Sequence, residues 1–318
     1  MKKQPREIVI SGEDLRKLQM IELDILKEVD RVCRKHDINY FLIYGTLLGA
    51  VRHKGFIPWD DDLDIGFLRK DYEKFCKIFQ HEADTCKYFI QTWKTDKHYY
   101  WNYGKIRRLD TEYIRLGQEH MKYVTGIYID IFPFDYLPLS NKASDDIIKY
   151  YNDNVKQGSS TDNLLQRDKC FISQKQMKPT IMQSRICKLF RKGAWSHTGK
   201  YHEKKFWLRI LYHLMSLIPG RVYASMLEHW STKYNNDTRY AKKHLHSFGY
   251  ADAHHDDPRV DFSSDIFEEY IDIEFEGFYF KTIKEWHKFL TIHYGNYMEP
   301  PPIEKRCGVA PASKIDFG

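Results

Sequence analysis

The sequence predicts a mixed α/β chain, with helices flanking a sheet and a helical, basic insertion. Three observations lead there. Helix-like and strand-like periodicities alternate through roughly the first 140 residues. A Gly-Thr turn leads into four aspartates within five positions in "YGTLLGAVRHKGFIPWDDDLDIGF", residues 44–67. Residues 185–209 then hold eight Lys/Arg against one acid, Glu203, and run into the apolar stretch "FWLRILYHLMSLIPG".

The elements follow in order. From Ser11, an N-cap residue type, Leu15, Leu18, Ile25, Val29 and Val32 recur at helical spacing, and "YFLIY" reads as a short buried strand. "DLDIGF" alternates as a strand does, and "KDYEKFCKIF" puts Tyr72, Phe75, Cys76 and Phe79 on one helical face. "YFIQTW", "YWNYGKIRRL" and "GIYIDIFPF" read as further strands. The polar run at 152–163 reads as a loop, "YIDIEFEGFYF" as a hairpin and "TIKEWHKFLTIHYG" as a helix. The expected organisation is a catalytic core over 1–140, the basic, aromatic insertion over 141–245, and a C-terminal hairpin and helix over 246–318 that complete the core.

Composition bounds the function classes. With 318 residues and 42% hydrophobic content the chain buries a sizeable core, and a net charge of +6 is compatible with a phosphate-bearing ligand without requiring one. The six cysteines, Cys33, Cys76, Cys86, Cys170, Cys187 and Cys307, include no CxxC pair, so a reducing cytoplasm is expected and a zinc knuckle or disulfide framework is not. No secretory h-region and no apolar run of membrane-spanning length occurs.

Carboxylates as close as Asp60 to Asp64 repel one another unless a cation neutralises them. In a strand, Asp62 and Asp64 would share one face while Leu63 and Ile65 enter the core, a pairing that suits Mg²⁺ or Mn²⁺. Asp60 and Asp61 read as loop or capping residues. Asp130 interrupts an apolar run and is the candidate third acid, while Gly45 and Thr46 open a short helical pattern whose N-terminal amides can receive a phosphate. Arg52, His53, Lys54, Lys105, Arg107 and Arg108 are candidate phosphate contacts. "HHDD" at 254–257 and "HLH" at 244–246 are weaker metal candidates.

A Gly-Thr turn, a D-x-D strand and a later strand acid resemble the nucleotidyltransferase superfamily. The longer string "YGTLLGAVRHKGFIPWDDDLDIGFLRKDYEKF" resembles the signature of the LicD family, relatives of fukutin and fukutin-related protein. "KIRRLDTEYI", "GIYIDIFPFD", "FEGFYF" and "YGNYMEPPPIEKR" fit it too. The resemblance implies a nucleotidyltransferase-like mixed sheet and Mg²⁺-dependent transfer of a phospho-alcohol. Phosphocholine from CDP-choline is the first expectation, with CMP leaving and a hydroxyl of a glycan accepting. The glycan would be a teichoic acid, lipopolysaccharide or capsule precursor. The resemblance makes Asp62, Asp64 and Asp130 metal-site residues and sets Gly45 and Thr46 against the donor phosphates. Transfer of ribitol- or glycerol-phosphate, a true nucleotidyltransferase using a nucleoside triphosphate, and a nucleic-acid binder are the alternatives. Nucleic acid is not expected, because it needs no paired strand aspartates.

Two further expectations concern surroundings. The basic flank and apolar stretch at 185–219 suggest peripheral contact with an anionic inner membrane face. Period-two alternation in "HYYWNYGKIRR" would put Tyr99, Trp101 and Tyr103 on one strand face, either as ordinary packing or as a box for a quaternary ammonium.

Overall fold

The computed structural model describes residues 7–138, 178–238, 244–247, 262–306, 308 and 311–318. The polar run at 152–163, the HHDD motif, Cys170 and Cys307 lie outside them.

Helix α1, Gly12–Lys35, turns its stripe of Leu15, Leu18, Ile25, Val29 and Val32 into the core. Ser11 takes the N-cap position in extended conformation, with no side-chain capping bond. A short strand β1, Phe41–Leu42, leads into α2, Tyr44–His53, and then β2, Asp64–Leu68, and α3, Arg69–Glu82, follow. Phe75 and Phe79 of α3 are buried, and Phe75 stacks on Phe67 of β2 with ring centroids 4.9 Å apart.

Strands β3 (Tyr88–Gln91), β4 (Gly104–Arg108), β5 (Glu112–Arg115) and β6 (Tyr128–Tyr136) come next. The main sheet runs β1-β2-β6-β4-β3, with β2 and β6 parallel and the other neighbours antiparallel. β6 is central, and all but its last residue are buried. Its Pro133 lies beyond the point where β4 stops pairing at Ile131, so the missing N–H breaks no bond to that strand.

The remaining helices are α4 (Lys178–His202), α5 (Phe206–Met215) and α6 (Gly220–Thr232). α4 packs on α6, and α6 is tied to the sheet side through Trp93 Nε1 to Glu228 Oε2 at 2.6 Å and Asn102 to Ser231 at 3.3 Å. Just beyond α6, Asn235 donates to Asp135 of β6 at 2.7 Å. β7 (His244–His246) and β8 (Phe262–Ser263) extend the sheet from the end of β6.

The expected hairpin forms from β9, Tyr270–Phe275, and β10, Phe278–Ile283. Its turn residues Glu276 and Gly277 both have positive φ, 54° and 76°, as a two-residue hairpin turn requires. Helix α7, Trp286–Tyr294, packs behind α2, and β11, Ala312–Asp316, pairs antiparallel with β5. Two expectations shift. β2 begins at Asp64, so Asp62 precedes the strand, and β4 begins at Gly104, so Tyr99, Trp101 and Tyr103 lie in the segment leading to it.

Candidate active site

Three adjacent strands set three charged side chains in a row. Asp64 of β2 is in register with Asp130 of β6, and Asp130 is in register with Lys105 of β4. Leu63 and Ile65, flanking Asp64, are fully buried, so the apolar alternation fixes which way the acid faces. The Lys105 ammonium pairs directly with Asp130 Oδ1, and both residues are buried. It also lies 3.5 Å from the centroid of the Tyr128 ring. Burial brings the Lys105 pKa down to about 8, with the Asp130 charge opposing that shift.

The first turn of α2 closes over this row. The Asp64 amide donates to the Thr46 hydroxyl at 2.8 Å, tying helix to strand. The first helical bond is Leu47 N–H to the Ile43 carbonyl, so the Gly45 and Thr46 amides precede the helical ladder. A Cβ at Gly45 would stand 2.7 Å from Asp60 Oδ2, which is why the turn passes the aspartates only as glycine. Tyr44 opens the helix at φ 46°, a left-handed conformation costing roughly 1 kcal/mol for a side-chain-bearing residue.

The aspartate loop delivers the rest of the charge. Asp60, Asp61 and Asp62 each present a carboxylate oxygen within 4.8 Å of the others. Burial first, then the neighbouring carboxylates, pushes Asp62 up to about 6. The same two causes hold Asp60 and Asp64 well above the usual carboxylate range. A donor set made only of oxygens, crowded and half-desolvated, fits a hard divalent cation. Asp60 and Asp61 are loop residues ahead of β2, as expected, and their carboxylates lie beside that of Asp62.

Beside the row lies a pocket lined by Tyr99, Trp101, Tyr103, Lys105, Arg107 and Arg115, together with further tyrosines. Tyr99 and Trp101 meet at 5.0 Å, and Tyr103 stacks on Phe132 at 4.8 Å, so the three aromatics converge without sharing a strand face. Arg107 is fully buried, donating to Gln91 Oε1 at 2.6 Å and the Gly126 carbonyl at 2.7 Å.

The other basic candidates lie elsewhere. Arg108 pairs with Asp24 and Asp110. Arg52 and His53 end α2, about 10 Å along the helix from Gly45 at 1.5 Å per residue. There Arg52 donates to the Tyr297 carbonyl at 3.0 Å, and His53 meets Trp59 edge-on. Sequence reasoning missed Arg115, on β5, which lines the pocket.

The LicD/FKTN/FKRP nucleotidyltransferase-domain family matches residues 37–182, which contain the turn, all four clustered aspartates, Lys105 and Asp130. The chain is 25% identical over 302 residues to the lipopolysaccharide cholinephosphotransferase LicD of Haemophilus influenzae, covering 91% of this chain and 93% of that one. Residues 37–182 thus carry a LicD-family domain. Shorter segments match uncharacterised proteins of Rickettsia typhi, 48% identical over 54 residues, and Rickettsia prowazekii, 51% over 47. Each spans 18% of the rickettsial chain. The likeness to a cholinephosphotransferase makes the molecule a transferase.

Proposed function

We propose that the protein transfers phosphocholine from CDP-choline to a hydroxyl of a lipopolysaccharide-type glycan, in a nucleotidyltransferase-like site that works with Mg²⁺ or Mn²⁺. The observation that carries this reading is the row Asp64–Asp130–Lys105 beneath the Gly45-Thr46 turn, in a chain alike over nearly its whole length to a cholinephosphotransferase. Asp62, Asp64 and Asp130 would hold the cation, which when bound would supply positive charge to the donor's phosphates. The Gly45 and Thr46 amides and the Lys105 ammonium hold the donor's phosphates in place. Lys105 occupies Asp130 Oδ1, which leaves Oδ2 as that residue's ligand atom for the cation, and the proton of the attacking hydroxyl passes to water as the O–P bond forms and CMP departs.

The pocket of Tyr99, Trp101 and Tyr103 is better matched to the nucleotide than to choline. Lys105, Arg107 and Arg115 line it, and a quaternary ammonium would meet three like charges there. The cations on its lining suit the donor's phosphates rather than its ammonium. Trp101→Ala should therefore weaken transfer from CDP-choline and CDP-ribitol alike, whereas a loss confined to CDP-choline would restore the ammonium box. A donor panel of CDP-choline, CDP-ribitol, CDP-glycerol and CTP separates the reading from its rivals. CMP release with a CDP-alcohol supports it, and pyrophosphate release from CTP overturns it.

We further propose that the reaction takes place at a bilayer surface. Among the described residues no helix is long and apolar enough to cross a membrane. Yet α5 buries no residue, and Phe206, Trp207, Ile210, Leu211 and Leu214 are exposed on one stripe of it, with Leu217 exposed just beyond. Lys204, Lys205, Arg209 and Arg221 are exposed around this surface. An apolar stripe with a basic rim fits the interface of an anionic bilayer. A second copy would bring the same positive rim against itself. Flotation with phosphatidylglycerol vesicles at low salt tests this, with Trp207→Glu/Leu214→Glu expected to stay at the bottom while melting like wild type. Wild-type protein that does not float, or that sediments as a dimer through this face, removes the idea.

A further inference from the structure

Tyr103 lines two cavities: the cationic pocket beside the carboxylate row, and a roomier one of about 270 Å³ between α3, the turn after β3 and α6. Arg69, Tyr72, Trp93, Asn102 and Glu228 line the second. Its volume lies just under the roughly 300–1,000 Å³ usual for drug-sized ligands, room for a single ring-sized unit rather than a nucleotide. The indole of Trp93 is held in place, because Glu228 accepts from its Nε1 at 2.6 Å and from Lys94 Nζ at 2.7 Å. Asn102 is 5% exposed and, among the described residues, makes one hydrogen bond, from Nδ2 to Ser231 Oγ at 3.3 Å, so its Oδ1 accepts nothing. Arg69 gives Nε and Nη2 to Asp135, and its Nη1 bonds to no described residue. Folding alone gives no reason to leave a buried amide oxygen open. Together the two side chains offer an acceptor and a donor, the two roles a hydroxyl can answer at once.

The charges of the lining balance. Arg69, Lys77 and Lys94 are matched by Glu73, Glu228 and, behind Arg69, Asp135, so the cavity calls for a polar but uncharged ligand. We propose that it is the acceptor subsite, in which a neutral sugar ring of the glycan lies against Trp93 and Tyr72 and its hydroxyls pair with Asn102 Oδ1 and Arg69 Nη1. The proposal rests on the reading of the carboxylate row as the site of transfer to a glycan hydroxyl, and it says which surface holds that glycan. Tyr103 sets the two cavities next to each other. Its ring centroid is 5.3 Å from Lys105 Nζ, so one aromatic side chain stands between the seated sugar and the cation assigned to the donor's phosphates.

The test is steady-state kinetics of the full chain with CDP-choline, Mg²⁺ and lipopolysaccharide, with thermal melting alongside. Asn102→Leu removes the open oxygen, and Gln80→Trp narrows the cavity from an exposed position on α3. Both should raise KM for lipopolysaccharide about tenfold or more, while KM for CDP-choline moves less than about twofold. Gln80→Trp should also melt like wild type, so a loss shared by both variants is not misfolding. An unchanged KM for lipopolysaccharide in both variants, or an equal rise in KM for CDP-choline, overturns the subsite while leaving the transfer site standing. A wild-type protein that forms no phosphocholine-bearing acceptor overturns the transfer reading, and the subsite with it.

Discussion

Asp62, Asp64 and Asp130 are each expected to be needed for turnover, but their asparagine variants should part company in stability. Asp62 and Asp64 stand among like charges, so neutralising either relieves repulsion, and the metal-free variants should melt at or above wild type while transfer falls at least ~100-fold. Asp130 is paired with the buried Lys105 ammonium. Asp130→Asn leaves that charge without its partner and should cost about 3 kcal/mol, seen as a lower melting temperature. Equal melting of all three variants would contradict the assignment of Lys105 to Asp130. The pH dependence follows from the same charges. A carboxyl whose folded pKa is raised favours the folded state at low pH, and that contribution falls away as pH rises through the folded value, about 6 for Asp62. The melting temperature of Asp62→Asn, relative to wild type, should therefore increase from pH 5 to pH 7.5 without cation. Saturating Mg²⁺ should close the gap.

At the level of elements, β6 carries the most. Its start faces β4 and β2 with Asp130, and its end places Asp135 against Arg69 of α3, with guanidinium-to-carboxylate contacts of 2.8 and 2.7 Å, and against Asn235. Asp135 is fully buried, so Asp135→Ala leaves Arg69 unpaired and should cost roughly 3–5 kcal/mol in denaturant unfolding. A loss under about 1 kcal/mol would mean that water replaces the pair. The strand itself was legible in "GIYIDIFPF", since a long apolar run interrupted by an acid reads as a buried strand with a functional side chain. The helix stripe of α1 was legible too. Asp62 was misplaced relative to β2 because period-two alternation marks direction but not where pairing begins. The convergence of Tyr99, Trp101 and Tyr103 ahead of β4 depends on chain path, and Arg115 reaches the pocket through pairing of β5 with residues two hundred positions later. Neither leaves a local pattern.

At the scale of the whole molecule, distant segments complete the site. α1 is bonded to the aspartate loop through Gln19 and the Asp60 carbonyl, α2 supplies the turn, and the C-terminal strand β11 holds β5, whose Tyr113 and Arg115 line the cationic pocket. Removing residues 311–318 should therefore lower the melting temperature and raise KM for the donor more than it lowers kcat, because the pocket loosens while the carboxylate row stays on the main sheet. A KM unchanged by the truncation would show that β5 keeps its place without β11. The central claim is that the row on β2, β6 and β4 carries phosphocholine transfer. Its most direct test is mass spectrometry of the products after incubating the protein with CDP-choline, Mg²⁺ and a lipopolysaccharide acceptor, beside Asp64→Asn. CMP and a phosphocholine-bearing acceptor from the wild type, with neither from the variant, is the predicted result; transfer at wild-type rate by Asp64→Asn would contradict it.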